Sequence, residues 1–313
     1  MKIKPPRLRQ GEGVGIIAPA GPVEPSEIEP AISLLESLGF RVCLGPRVYE
    51  RKAYLAGDDE TRLADLHEMF RNDDVRAILC ARGGYGIHRI LEKIDYTLAK
   101  KSPKIIVGYS DITALLIALY RKAGLVTFHG PMAKGLGKNE NRNLESFLQL
   151  ITSGSRITFA LSHGKVLRPG KGRGVLLGGN LSLLCHLIGT PFMPGPRGKI
   201  LFIEEKGEPL YRIDRMLTYL KLAGFLGQCA GVVFGEFSEC GEATSIIEVL
   251  EERTRELRVP VMTGLKVGHG LENMAVPVGV RAILDTETMS MTLAEPSVSD
   301  PCISGLQKYS RNG

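Results

Sequence analysis

Short apolar runs alternate with amphipathic stretches along most of the chain. VGIIA (14–18) is a run of the kind a buried strand makes. In the stretch that follows, Ile28, Ile32, Leu35 and Leu38 recur at helical spacing, Ser26 and Glu29 form a capping pattern, and Gly39 is the stop. A second strand runs around Val42. The spacing then predicts a helix over 58–72 with Leu63, Leu66 and Phe70 inward, and a strand at RAILCA (76–81). A helix from about 87 to 95, a strand at KIIVG (104–108), an apolar helix from about 111 to 122 and a strand at LVTFHG (125–130) complete this half. Strands alternating with helices pair in parallel, with helices on both sheet faces and functional loops at the strands' carboxyl ends.

The pattern breaks between about 150 and 174, where a polar stretch rich in Gly, Ser and Pro reads as a linker with an edge strand or hairpin. Beyond it come a strand and helix (174–189), a strand at KILFIEE (199–205) and a helix with Ile213, Met216, Leu217 and Leu220 inward. A strand at AGVVFGEF (230–237), a helix over 246–257 and a strand leading into a Gly-rich loop (259–270) follow. PVGVRAILD and TMSMTLAE read as two closing strands joined by a D-T-E-T turn. The expected fold is α/β: an N-terminal parallel-sheet domain over 1–150, a linker or edge segment over 151–173, and a strand-rich C-terminal α/β domain over 174–313.

Composition supports two domains. The 313 residues are about twice an ordinary domain, and 43% hydrophobic with 24% charged is globular. No apolar run approaches the ~18 residues a membrane helix needs. The net charge of +6 is spread over both halves, no block of five like charges occurs and Trp is absent, so neither a nucleic-acid arm nor a base-stacking platform is indicated. The six cysteines form no C-x-x-C pair and read as small buried hydrophobes in a reducing compartment. The basic N-terminus resembles an export signal, but VGII is too short for an apolar signal core and reads as the first core strand of a cytoplasmic protein.

The Gly-rich strings GEGVGI (11–16), RPGKGRG (168–174) and PGPRGKI (194–200) lack the spacing and placement of nucleotide-binding loops, and no histidine pair has metal-ligand spacing. No cofactor or metal is expected. The sharpest string is KIIVGYSDITALL (104–116), where a buried strand turns through Gly108-Tyr109-Ser110-Asp111 straight into a helix. Ser110 there has the setting of a nucleophile elbow, although Ile112 stands where an α/β-hydrolase would have Gly. The competing reading is that Ser110 or Asp111 merely caps the helix.

RGGYG (82–86) also joins a strand to a helix, so the N–H groups of Gly83, Gly84 and Asp111 are candidates for an oxyanion hole, against an ordinary turn. A serine nucleophile needs a base oriented by an acid. His269, in VGHG at a strand end, is the best base; His129, in FHGP, is its rival. Glu204 and Glu205 end an apolar strand and are the acid candidates, against a salt bridge to Arg212 or Arg215. Arg82 is placed to grip a substrate carboxylate, against a structural ion pair.

Taken together, GIIAPAGPV, YLAGDDETRLADL, ARGGYG, VGYSDITALL, TFHGP, LLGGNLSLL, LFIEEKGEPLYRIDRML and GLKVGHG resemble the LD-carboxypeptidases of the muramoyltetrapeptide carboxypeptidase type, over nearly the whole chain. The resemblance implies a metal-free Ser-Glu-His triad of Ser110, Glu204 and His269, selecting Glu204 over Glu205, which stands where the family often has Asp. It also implies an active site between two α/β domains and a homodimer.

The implied activity releases the terminal D-Ala of the murein tetrapeptide by cutting an L,D bond in cell-wall recycling. The alternative within the same resemblance is a microcin C immunity-type peptidase acting on a peptidyl-nucleotide. Those relatives stack an aromatic residue, typically Trp, on the nucleobase from a longer loop. Here Trp is absent and Ser110 and Glu204 are 94 positions apart, which favours murein. An inactive muropeptide-binding protein is the alternative of another class.

Overall fold

The computed structural model describes residues 2–136 and 141–300, and the side chains of all of these except 141–143. In the first half, β1 (Gly13–Ile17), α1 (Pro25–Ser37), β2 (Arg41–Leu44), α2 (Asp59–Arg71) and β3 (Val75–Cys80) succeed one another. Then come the short helices α3 (Ile87–Ile90) and α4 (Tyr96–Lys101), β4 (Ile105–Gly108), α5 (Ile112–Ala123), β5 (Thr127–His129) and α6 (Asn141–Thr152). Pro25 favours the first helical position, so α1 starts earlier than its predicted cap. Its capping contact is Glu24 N–H to Glu27 Oε2 at 2.9 Å, in place of Ser26 and Glu29.

In the second half, β6 (Thr158–Ala160), β7 (Val166–Arg168), β8 (Lys171–Asn180), α7 (Leu181–Leu187) and β9 (Lys199–Lys206) lead into α8 (Leu210–Leu222) and α9 (Phe225–Gln228). They are followed by β10 (Gly231–Ser238), α10 (Ala243–Thr254), β11 (Val261–Met262), β12 (Val276–Val278), β13 (Arg281–Asp285) and β14 (Ser290–Leu293). Two mixed sheets result, ordered β12-β5-β4-β3-β1-β2 and β6-β14-β13-β8-β9-β10-β11-β7. This is the two-domain α/β architecture the sequence predicts.

The strand layout also differs from the sequence reading. The stretch at 151–173 supplies both edge strands of the second sheet, since β6 and β7 lie at its opposite margins. The run PVGVRAILD is two strands in different sheets: β12 pairs antiparallel with β5 of the first sheet, and β13 pairs with β8 of the second. Gly279, at φ +97°, makes the turn between them. The otherwise parallel first sheet therefore ends on a strand from the far half of the chain.

The two sheets meet over α5. Residues 112–119 of this helix are all buried, so it is apolar all round, as a helix enclosed on every side must be. Leu115, Leu116, Ile117 and Leu119 each contribute roughly 1.5–3 kcal/mol by leaving water. β8 approaches α5 closely at Gly179, where an added Cβ would stand 2.6 Å from Thr113. Asn180 N–H donates to Thr113 Oγ1 at 3.2 Å across the same seam. The amino end of α5, with Ser110 before it, thus faces the carboxyl ends of β8 and β9.

Among the described residues no helix is long and apolar enough to cross a membrane. The described cysteines are free: Cys80, Cys229 and Cys240 are buried, Cys43 and Cys185 half-buried. Cys302 lies outside the described residues.

Candidate active site

Among the described residues Ser110 is one of four non-glycine residues with positive φ, at +62°. That conformation is costly for a serine and turns its side chain off the end of β4 before α5 begins. Gly108 is required two positions earlier, because a Cβ there would stand 2.7 Å from Ile112. β3 and β4 pair in parallel and bring the 82–86 loop beside Ser110. A Cβ on Gly83 would sit 2.8 Å from Ser110 Cβ and 3.0 Å from its Oγ. Gly84, at φ +113°, folds the same loop against Gly21, whose N–H donates to Gly83 O at 3.0 Å.

The two loops are also tied by a side chain. Asp111 is buried, and its Oδ2 accepts the Ile87 N–H at 2.9 Å, at the head of α3. Burial pushes its carboxyl up to about 6, against the pull of that hydrogen bond and of the Arg62 charge. Arg62 is itself fully buried, donating to Pro19 O at 2.8 Å and Gly86 O at 2.9 Å. Asp111 makes no side-chain cap bond to α5; its carboxylate serves the neighbouring loop's helix instead. Arg82 is half-buried and donates to Pro22 O at 3.2 Å.

Glu204 and Glu205 close β9, and strand alternation points them to opposite faces. Glu205 turns to α7, accepting from Asn180 Nδ2 at 2.7 Å, Ser182 N–H at 2.8 Å and Ser182 Oγ at 2.7 Å. Burial raises its carboxyl despite these donors. Glu204 is wholly buried, and its Oε2 lies 2.8 Å from His269 Nδ1. Burial alone would push this carboxyl up, but the His129 and His269 imidazoles outweigh it and hold it at about 2. An ionised carboxylate only accepts, so Nδ1 of His269 carries the proton and Nε2 is left as a base. Neither glutamate turns to α8: Arg212 pairs with Glu208 at 3.2 Å, and Arg215 lies over the Tyr211 ring.

His269 sits in the loop between β11 and β12, with 14% of its side chain exposed. Its flanking glycines do more than leave the imidazole accessible. Gly268, at φ +120°, lets the loop pass Glu204, where a Cβ would stand 2.8 Å from Oε2. Gly270 gives similar clearance to Glu236. Asn273 Oδ1 accepts the Gly268 N–H at 3.1 Å and holds the loop. Tyr109, next to Ser110, packs its ring edge-on against the His269 ring at 4.7 Å. Among the described residues Ser110 Oγ makes no hydrogen bond; its chain neighbour Tyr109 makes the ring contact to His269. Catalytic hydrogen bonds often tighten only when substrate binds.

The rival base, His129, is wholly buried at the end of β5, paired with Val276 of β12. It cannot touch a substrate. Sequence reading missed this burial, the ring contact of Tyr109 and the loop-holding Asn273. Tyr109 and His129 lay within strings already singled out; Asn273 did not.

Residues 14–130 match the LD-carboxypeptidase N-terminal domain, and residues 173–284 match the LD-carboxypeptidase C-terminal domain. The chain is 44% identical, over 96% of its length and 97% of the relative's, to a probable murein peptide carboxypeptidase of Bacillus subtilis. A solved muramoyltetrapeptide carboxypeptidase from Oxalobacter formigenes is similar at TM-score 0.81 and 34% identity, covering 90% of this chain and 97% of that one. A structure of MccF in complex with glutamyl sulfamoyl guanosine is similar at TM-score 0.88 and 26% identity, covering 95% and 99%.

Proposed function

The chain belongs to the LD-carboxypeptidase family, and on that premise we propose that it is a serine-type carboxypeptidase that releases terminal D-Ala from murein tetrapeptide. The observation that carries this reading is the 2.8 Å contact between His269 Nδ1 and Glu204 Oε2 beside the strained turn of Ser110.

In the proposed reaction His269 Nε2 takes the Ser110 hydroxyl proton as Oγ bonds to the scissile carbonyl carbon. Glu204 fixes the tautomer and stabilises the imidazolium. The N–H groups of Gly83, Gly84 and Asp111 receive the oxyanion, each worth about 3 kcal/mol in the transition state. The C–N bond then breaks, and His269 protonates the departing amine of D-Ala. Water, deprotonated by the same imidazole, releases the peptide from Ser110. No metal takes part. Arg82 holds the substrate's terminal carboxylate, which makes the enzyme an exopeptidase. The family resemblance supports a cytoplasmic homodimer working in cell-wall recycling.

The likeness to MccF, solved in complex with glutamyl sulfamoyl guanosine, supports a second reading as an immunity-type peptidase. The absence of Trp weighs against it. Incubation with L-Ala-γ-D-Glu-meso-diaminopimelate-D-Ala and with a peptidyl-adenylate analogue separates the readings. Free D-Ala from the first supports the murein assignment. Preferential cleavage of the second transfers the site to the immunity type. Binding of the tetrapeptide without cleavage of either leaves a muropeptide-binding protein.

A further inference from the structure

Glu204 has two carboxylate oxygens, and the reaction above uses only Oε2. Oε1 is buried without a hydrogen-bond partner, and so are both ring nitrogens of His129. Three orphaned polar atoms against one catalytic carboxylate would cost several kcal/mol if left apart. They are not far apart: His129 Nε2 lies 3.8 Å from Glu204 Oε1, with both side chains wholly buried. That gap exceeds a hydrogen bond by about 1 Å, yet it is shorter than the roughly 5 Å a bridging water needs. A small side-chain movement would bring the two groups into direct contact.

We propose that His129 is a positioning residue for this site: its Nε2–H engages Glu204 Oε1, so that the carboxylate is clamped between two imidazoles and keeps Oε2 on His269. The proposal rests on the reading of Glu204 as the orienting acid. Because the ionised Glu204 only accepts, the proton belongs on Nε2 of His129.

The surroundings fix the ring for this task. His129 packs against Phe202 at 5.5 Å and Tyr109 at 5.9 Å, and Tyr109 in turn packs against His269. The titratable groups facing Glu204 are these two histidines and the Tyr109 hydroxyl, which the Glu204 charge and burial push up. The backbone of His129 registers β5 against β12, so the strand crossing from the second half also seats the clamp. An imidazole that served only to fill space here would be replaceable by any side chain of the same bulk.

His129→Gln and His129→Met test this. Both fill similar space, but only Gln carries a donor near the Nε2 position. The first readout is the low-field Nδ1 proton of His269, observed by NMR in the unliganded protein and independent of turnover. His129→Met is expected to move it upfield and His129→Gln to hold it near wild type. The second is turnover of the murein tetrapeptide. His129→Met is expected to lower kcat roughly 10- to 100-fold with KM within twofold. The acidic limb of kcat/KM should fall by about half a pH unit, because a carboxylate no longer kept on Nδ1 stabilises the imidazolium less. Gln should restore most of both. If the two variants behave alike in the NMR and in the pH profile, His129 is packing and the proposal fails. Should the tetrapeptide prove not to be a substrate, the functional reading fails, and the NMR comparison still decides the clamp.

Discussion

His269 Nδ1 and Glu204 Oε2 stand 2.8 Å apart although 65 positions separate them in the chain. One sits on a loop cleared by Gly268, the other at the end of β9, and neither residue's local sequence specifies the meeting. The pair exists because β9, β10 and β11 run parallel, so that their carboxyl ends share one edge.

Glu204 and Glu205 are chemically alike but have different partners, His269 for the first and Asn180 and Ser182 for the second. Glu204→Gln is expected to lower kcat by roughly 10³–10⁴-fold, as loss of the orienting acid does in other triads. Glu205→Gln, whose side chain serves α7, should stay within about tenfold of wild type. Steady-state kinetics of both variants on the tetrapeptide provide the comparison.

The same two variants differ in acid. The folded-state carboxyl of Glu204 lies at about 2, below its ordinary value of 4.5, so ionised Glu204 stabilises the fold above pH 4.5. That contribution is lost as pH falls from 4.5 toward 2. Denaturant unfolding over this range should show a shallower pH dependence in Glu204→Gln than in wild type.

Asp111 has the opposite sign. Its folded-state value of about 6 lies above the ordinary 3.8, so the native state binds the extra proton between them and stability falls as pH rises through that window. The difference between the two values corresponds to on the order of 3 kcal/mol. Asp111→Asn keeps an acceptor for the Ile87 N–H and removes the ionisation. Its stability should be flatter between pH 4 and 6 and equal to or above wild type at pH 7, as measured by urea unfolding.

Gly83→Ala tests the space beside the nucleophile. The new methyl would stand 2.8 Å from Ser110 Cβ and 3.0 Å from Oγ. The backbone there has no positive φ to strain, but the contact forces Ser110 to shift, so a modest drop in thermal stability is expected while kcat falls roughly 100-fold. A normal kcat with a lowered melting temperature would contradict the placement of Ser110 at the reaction centre.

Arg82→Ala should raise KM for the tetrapeptide roughly 10- to 100-fold with a small change in kcat, the loss of a charged hydrogen bond to the substrate's end. A substrate amidated at its C-terminus should not distinguish the variant from wild type. Equal discrimination by both proteins would assign Arg82 to the Pro22 contact alone.

Much of this site is legible in the sequence because its parts are local. The turn around Ser110, the glycines at 83 and 84 and the carboxylates ending β9 each announce themselves by their place after an apolar run. What is not legible depends on packing between distant segments. PVGVRAILD reads as one strand because its alternation continues through Gly279, and only the competition of two sheets for that run splits it. The FHGP end of β5 reads as an exposed strand terminus, but Val276 of β12 covers it and buries His129. Alternation shows that Glu204 and Glu205 face apart; which of them faces the first domain is decided by where α7 packs.

The most direct measurement is release of D-Ala from the murein tetrapeptide by wild-type protein and by Ser110→Ala at equal concentration, with products identified by mass spectrometry. The account predicts free D-Ala and tripeptide from wild type, and a rate at least 10³-fold lower from Ser110→Ala. Undiminished release by Ser110→Ala would contradict it.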